Sequence, residues 1–237
     1  MKLNLPAWNE NDGKNFTAYI STLSKGEAAC EREKRILNCT RECLAIGAPA
    51  VSDLAAEIFK GNYKSFLDLK LFDNTALTAV YAKILCKISD FNEFVHYLTP
   101  YLDDADGWYS TDGVKYKGAK KHPQELFDLI EKYAASVKTF YRRMAVIFAF
   151  NFAADKSFEN RLTALISSLK NEKEYYVNMA VAWLTCELVI KNRDFGMDTI
   201  CGDTLNDFAK NKAILKCCDS FRISDTDKAL LKTNRTA

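Results

Sequence analysis

The sequence predicts an all-α fold on three observations. Only 9 glycines and 4 prolines interrupt its 237 residues. The stretches between them are rich in Ala, Leu, Lys and Glu, residues that lose little on entering a helix. Within those stretches apolar side chains recur at steps of three and four, which stacks them on one helical face.

Taken in chain order, amphipathic segments run from Ala50 to Phe59 and from Tyr63 to Leu71, separated by the turn Lys60-Gly61-Asn62. Ala76 to Ile88 follows, and Lys87-Ile88-Ser89-Asp90 separates it from Phe91 to Leu98. Pro123 to Ala134 opens on a proline, a residue tolerated in a first helical turn. From Tyr141 to Phe152, Tyr141, Met144, Ala145, Phe148, Ala149 and Phe152 keep the period while Val146, Ile147 and Phe150 fill the flanks. A helix that is apolar nearly all round belongs inside, covered by others. The same holds for Tyr176, Met179, Ala180, Trp183 and Leu184, beyond the turn Asn171-Glu172. Phe158 to Leu169, Leu205 to Cys218 and Asp225 to Leu231 supply covering helices. Such brief turns require antiparallel neighbours. Helical periodicity continues from about residue 15 without a linker rich in Pro, Gly or Ser. One continuous domain over residues 1–237 is expected, with residues 1–14 as a flexible or loosely packed segment. Helix pairs recur every ~40 residues, which suits a solenoid, although the internal repeat is faint and periodicity alone also fits an irregular helical globule.

With 48% apolar and 12% aromatic residues the chain can bury a sizeable core. Its formal net charge is only +2, so attraction to phosphate has to come from local clustering of its 33 basic residues. The opening Met1-Lys2-Leu3-Asn4-Leu5-Pro6 is too short in apolar content for a secretory signal, and no stretch approaches the ~20 apolar residues of a membrane span. A cytoplasmic protein with reduced cysteines is therefore expected. Cys39 and Cys43 are four residues apart, but there is no CxxC pair, and His96 and His122 are the only histidines. No metal or other cofactor is called for.

The segment Asp106-Gly107-Trp108-Tyr109-Ser110-Thr111-Asp112, together with Arg143 and the run Tyr175-Tyr176-Val177-Asn178-Met179-Ala180-Val181-Ala182-Trp183, supplies an acid, two indoles and an arginine suited to a cationic, electron-poor group. This combination resembles the DNA alkylation repair family, the AlkD-like glycosylases. The run ending at Trp183 is similar to that family's C-terminal half, as are Asn211-Lys212-Ala213-Ile214-Leu215-Lys216 and Ser220-Phe221-Arg222-Ile223-Ser224. Gly47-Ala48-Pro49 with Leu54-Ala55-Ala56-Glu57-Ile58 resembles its early Pro-led helix, and Trp108 to Asp112 its Trp-x-x-x-Asp element. The resemblance covers roughly residues 20 to 234. It implies an alpha-alpha superhelix of HEAT-like helical repeats and excision of cationic alkylated purines such as 3-methyladenine and 7-methylguanine from duplex DNA. It further implies that Asp112 is the catalytic carboxylate, that Trp108 and Trp183 contact the lesion nucleotide with Tyr109 beside them, and that Arg143 contacts the DNA backbone. Recognition without a deep base pocket is implied as well. The chain departs from its relatives at Ser52 and Asp53, where they often carry basic residues, and in the Tyr-Ser-Thr between tryptophan and acid.

The chemistry follows from the lesion. An alkylated purine that already carries positive charge leaves deoxyribose readily, so what remains is to stabilise the sugar cation, and a carboxylate near C1′ does so electrostatically. Asp112 fills that role if ionised, which a nearby cation such as Arg143 would favour. As a bare dipeptide, Asp112-Gly113 reads equally as an ordinary turn among the solvated acids Asp103, Asp104 and Asp106. Indole faces attract cations by ~0.5–2 kcal/mol. Trp183 also reads as a core residue among Met179, Ala180 and Leu184. Candidate phosphate contacts are Arg142 and Arg143, the cluster Lys115, Lys117, Lys120, Lys121 and His122, and Lys210, Lys212 and Lys216. Three readings result: a monomeric glycosylase acting on alkylated duplex DNA, a catalytically silent paralogue that binds DNA or a protein partner through its concave face, and a helical scaffold for protein partners alone.

Overall fold

The computed structural model describes residues 1–236 and contains, among them, 14 α-helices and no β-strand. An isolated parallel bridge joins Glu42 to Asn74. The packing of the described residues forms two compact units, one over Met1–His122 and one that begins at Pro123. The boundary carries no linker signal because it falls between a lysine-rich turn and the proline that starts the next helix.

The first unit holds α1 (Glu10–Ser21), α2 (Glu27–Leu37), α3 (Ala48–Lys60), α4 (Tyr63–Asp68), α5 (Thr75–Leu85), α6 (Phe91–Asp103) and α7 (Tyr109–Asp112). Short polar side chains start most of them by accepting hydrogen bonds from otherwise unsatisfied N–H groups. Asn9 and Asp12 form a reciprocal capping box on α1, and Asn62, Asn74 and Asp90 cap α4, α5 and α6. Helix α3 instead begins on Pro49. Helix α4 ends earlier than the apolar pattern to Leu71 suggests, since Lys70 adopts φ 49°, which no helix can continue. Helix α6 runs past Leu98 and through Pro100 to Asp103. The interior is aromatic. Trp8, Phe16 and Phe66 meet edge to face at 5.0–5.8 Å, and Tyr81 stacks on Tyr101 at 5.6 Å. The first 14 residues, expected to be loosely packed, bury Leu3 and Trp8 because the indole completes the ring cluster over Phe66.

The second unit holds α8 (Pro123–Ala134), α9 (Thr139–Ala149), α10 (Glu159–Ser168), α11 (Tyr175–Lys191), α12 (Arg193–Cys201), α13 (Asp207–Asp219) and α14 (Asp225–Thr233). Short 3-10 turns at Phe150–Phe152 and Lys156–Phe158 join α9 to α10. Helices α9 and α11 form the centre, as their all-round apolar pattern requires: Arg143 to Ala149 are buried throughout, and α11 packs on α9, α12 and α13. Asn206 and Ser224 cap α13 and α14.

Helix α12 crosses α11 so closely that a Cβ on Gly196 would lie 2.2 Å from the Val189 backbone nitrogen. No side-chain rotation relieves a clash with backbone. Gly196→Ala should lower the unfolding free energy by about 3 kcal/mol, measured by urea denaturation, whereas Gly113→Ala, with open space around the added Cβ, should cost less than about 1 kcal/mol.

Candidate functional site

Asp112 is the last residue of the one-turn helix α7, half-buried, and Trp108 is that helix's N-cap. The Trp108 carbonyl accepts the Thr111 and Asp112 N–H groups, each at 3.1 Å. The Thr111 hydroxyl, with one proton to donate, lies 2.9 Å from the same carbonyl and 3.0 Å from Asp112 Oδ1, which sets the carboxylate beside the turn's own backbone. Ser110 and Thr111 form the buried underside of the turn. The Cys86 thiol, which donates to the Gly113 carbonyl at 3.4 Å and accepts from Lys115 N–H at 3.3 Å, fixes the chain immediately beyond it.

Tyr109, expected beside the lesion, is half-buried and donates its phenol to Asp106. Burial and that bond to an anion both push the phenol well above its ordinary range. Burial raises the Asp106 carboxyl, but hydrogen bonds from Tyr109, Arg41 and Thr40 overcome this and hold it at about 2. Asp104 and Asp106, which read in the sequence as solvated acids, are therefore structural anions paired with Arg41.

Beyond α7 the chain alternates: Val114, Tyr116 and Gly118 are buried while Lys115 and Lys117 are exposed. The Tyr116 phenol anchors the segment by donating to the Ser89 carbonyl at 2.8 Å. Lys120 and Lys121 are exposed in the turns that follow. Four of the predicted phosphate contacts thus face solvent on one pinned segment.

In the second unit Trp183 is 37% exposed, with Phe150 against it at 4.7 Å and 66°. This differs from a core position. It shares an outward face of α11 with Met179 and Tyr175, at steps of four residues, and Tyr175 meets Phe208 of α13 at 5.9 Å. The Lys212 ammonium sits 5.5 Å from the Phe208 ring centroid, and Lys216, one turn further on, is half-buried.

The two arginines of α9 both have partners within the protein. Arg143 is buried, its guanidinium donating to the Tyr176 carbonyl. Arg142 forms a two-pronged pair with Glu172 at 2.6 and 3.2 Å and donates to the Ser136 carbonyl at 2.9 Å. Burial raises the Glu172 carboxyl, and the Arg142 guanidinium outweighs it to hold the group below its usual range. Arg142 therefore clamps the start of α9 to the α10–α11 connection. No group of three or more His, Cys, Asp or Glu side chains among the described residues could hold a metal, and no helix there is long and apolar enough to cross a membrane.

Fold and site together define an all-α helical-repeat protein that carries one acid and one indole on a pinned single turn and a second, exposed indole on a central helix. The model of the DNA alkylation repair enzyme family matches residues 18–196, about three quarters of the chain, and the chain belongs to that family. The matched stretch includes Trp108, Asp112, Arg143 and Trp183, and it ends before the Asn211 and Ser220 motifs. No curated protein matches the chain.

Removing the Arg142 side chain would leave a carboxylate 7% exposed with its strongest partner gone. Arg142→Ala should lower stability by about 3 kcal/mol in urea at pH 7. The sign with pH follows from the lowered Glu172 value: the wild-type pair contributes fully above the unfolded carboxyl's pKa and loses its contribution as pH falls through the folded one. The stability gap between variant and wild type should therefore narrow on acidification.

Proposed function

We propose that this protein is a DNA glycosylase that hydrolyses the N-glycosidic bond of cationic alkylated purines, 3-methyladenine and 7-methylguanine among them, in duplex DNA. The observation that carries the reading is the presentation of Asp112: a half-exposed carboxylate, backbone-locked to Trp108 and inside the stretch that matches a DNA alkylation repair family. A carboxylate so held is preorganised for charge that develops on the sugar as the bond lengthens. The lesion's own positive charge supplies the leaving-group activation that a neutral purine would need from an acid. Trp108 on its turn, and the exposed Trp183 within the second unit, each carry an indole face of the kind that attracts a cationic base, and Tyr109 supports the turn through Asp106. Lys117, Lys120, Lys121, Lys212 and Lys216 are the phosphate contacts, with Lys115 alongside. Arg143 contributes through the Tyr176 carbonyl at the start of α11, the helix that carries Trp183. The reaction needs water and no cofactor, and one copy of the chain in the cytoplasm suffices for it.

Commitment of Arg142 to Glu172 favours the second reading, a silent paralogue that binds DNA or a protein partner, because it removes one cation from the pool available to phosphate.

Two measurements separate the readings. Asp112→Asn should abolish release of free 7-methylguanine from methylated duplex, a loss of at least ~100-fold, with wild-type helicity and melting temperature. Wild-type protein that binds duplex yet releases no base at micromolar concentration would select the silent paralogue. Replacing Lys117, Lys120 and Lys121 by alanine should flatten the slope of log affinity against log salt by about 0.9 for each phosphate no longer neutralised, and Arg142→Ala should leave it unchanged.

A further inference from the structure

We propose that Arg41 is a positioning residue for Asp112, acting through Asp106 and Tyr109; the proposal rests on the glycosylase reading above. Arg41 lies in the connection between α2 and α3, far from α7 in sequence, and its side chain is only 10% exposed. Its Nε donates to Asp106 Oδ1 at 3.1 Å, and Nη2 stands 3.0 Å from the same oxygen. Nη1 reaches the Phe72 carbonyl, the Thr78 hydroxyl and Asp104 Oδ2, each at 2.8 Å, and Nη2 donates to the Asp104 carbonyl at 2.6 Å. Every edge of the guanidinium is met by protein oxygens, so nothing of it remains for phosphate.

Asp106 is the centre of this arrangement. Oδ2 accepts the Thr40 N–H at 3.1 Å, the Thr40 hydroxyl at 2.9 Å and the Arg41 N–H at 3.2 Å, while Oδ1 takes Arg41 Nε and the Tyr109 phenol. The Thr40-Arg41 dipeptide thus holds the carboxylate, and the carboxylate holds the first side chain of α7. The return from Tyr109 to Asp106 is tight: a Cβ on Gly107 would lie 2.7 Å from the Tyr109 ring. Trp108 stands between the two anchors, and its carbonyl carries the N–H groups of Thr111 and Asp112. A single helical turn has almost no stability of its own. The angle at which Asp112 meets a ligand is therefore set upstream by Arg41, with Cys86 fixing the far end. A misplacement of ~1 Å at a reacting group can cost ~100-fold in rate.

The test is single-turnover release of 7-methylguanine from methylated duplex at saturating enzyme, with the dissociation constant and its salt slope measured in parallel. Arg41→Ala should slow release by about 100-fold with unchanged affinity and slope. Arg41→Lys, a point charge without the fork, should recover only part of that rate. Tyr109→Phe removes one hydrogen bond without touching the Arg41–Asp106 pair; it should keep the wild-type melting temperature and slow release by about tenfold. Wild-type release rates in Tyr109→Phe and Arg41→Lys would overturn the proposal, as would a salt slope flattened by about 0.9 in Arg41→Ala, the mark of a phosphate that Arg41 had neutralised. Hydrogen exchange of the Thr111 and Asp112 amides separates this outcome from failure of the glycosylase reading. Should the wild type release no base, exchange at least ~10-fold faster in Tyr109→Phe, with Val80 and Leu98 unchanged, still supports the anchoring. Unchanged exchange overturns it.

Discussion

A helix of four residues cannot hold itself, and this constraint governs everything around Asp112. Nucleation of a helix fixes several dihedrals for a single hydrogen bond, so α7 exists because other parts of the unit impose it. Ser110 and Thr111 seal its underside, Cys86 grips the chain after it, and Asp106 holds its first residue, Tyr109. The same pinning sets the alternation that follows, in which Val114 and Tyr116 point inward and the lysines between and beyond them point out. The acid and its neighbouring cations share one rigid frame.

The fold was largely legible because the long central helices follow their apolar period. Helix α8 begins at Pro123 and ends at Ala134, as its pattern indicates, and α13 and α14 start within two residues of the expected positions. The elements that escaped are those whose pattern is weak for a physical reason. Helix α2 buries none of its residues fully and is more than half charged, so few apolar positions mark it. Helix α12 contains Gly196, which reads as a breaker and is there because α11 lies against it. Helix α6 continues through Pro100, where the preceding apolar run alone suggested a stop at Leu98. Membership of the family was legible from the tryptophan-to-acid spacing and the run ending at Trp183.

The site was legible in its residue types and not in their company. Asp106 looked like one more solvated acid because nothing in its neighbourhood announces Arg41, 65 positions earlier. Arg142 looked like a free cation because Glu172 is 30 positions away. Both pairings were hidden for one reason: charge counted along a sequence ignores pairing across it. The arginines illustrate this repeatedly. Arg161 engages Asp128, Glu131 and Gln124, Arg193 engages Asp227, and Arg222 engages Glu187. A planar guanidinium matches a carboxylate edge and is weakly hydrated, so it is drawn into such pairs. Lysine, a compact and strongly hydrated charge, stays in water. In the segment from Asp104 to Lys121 the exposed cations are accordingly the lysines, while the arginine that reaches it, Arg41, is engaged by Asp104 and Asp106.

That division bears on how one surface could serve two opposite charges. A cationic base calls for an acid, and the phosphates on either side of it call for cations. An acid set among free lysines would be partly neutralised by them, and the lysines by it. Within the segment from Asp104 to Lys121 the conflict is resolved by pairing. Arg41 takes up Asp104 and Asp106, so two of the acids near the turn no longer compete for the lysines. Asp112 stays on the turn, tethered to Thr111, and the lysines project from a separately anchored stretch only a few residues on. The low pKa of Asp106 belongs to this scheme, since a carboxylate that stays ionised well into the acid range keeps its hold on Arg41 and on the turn that follows.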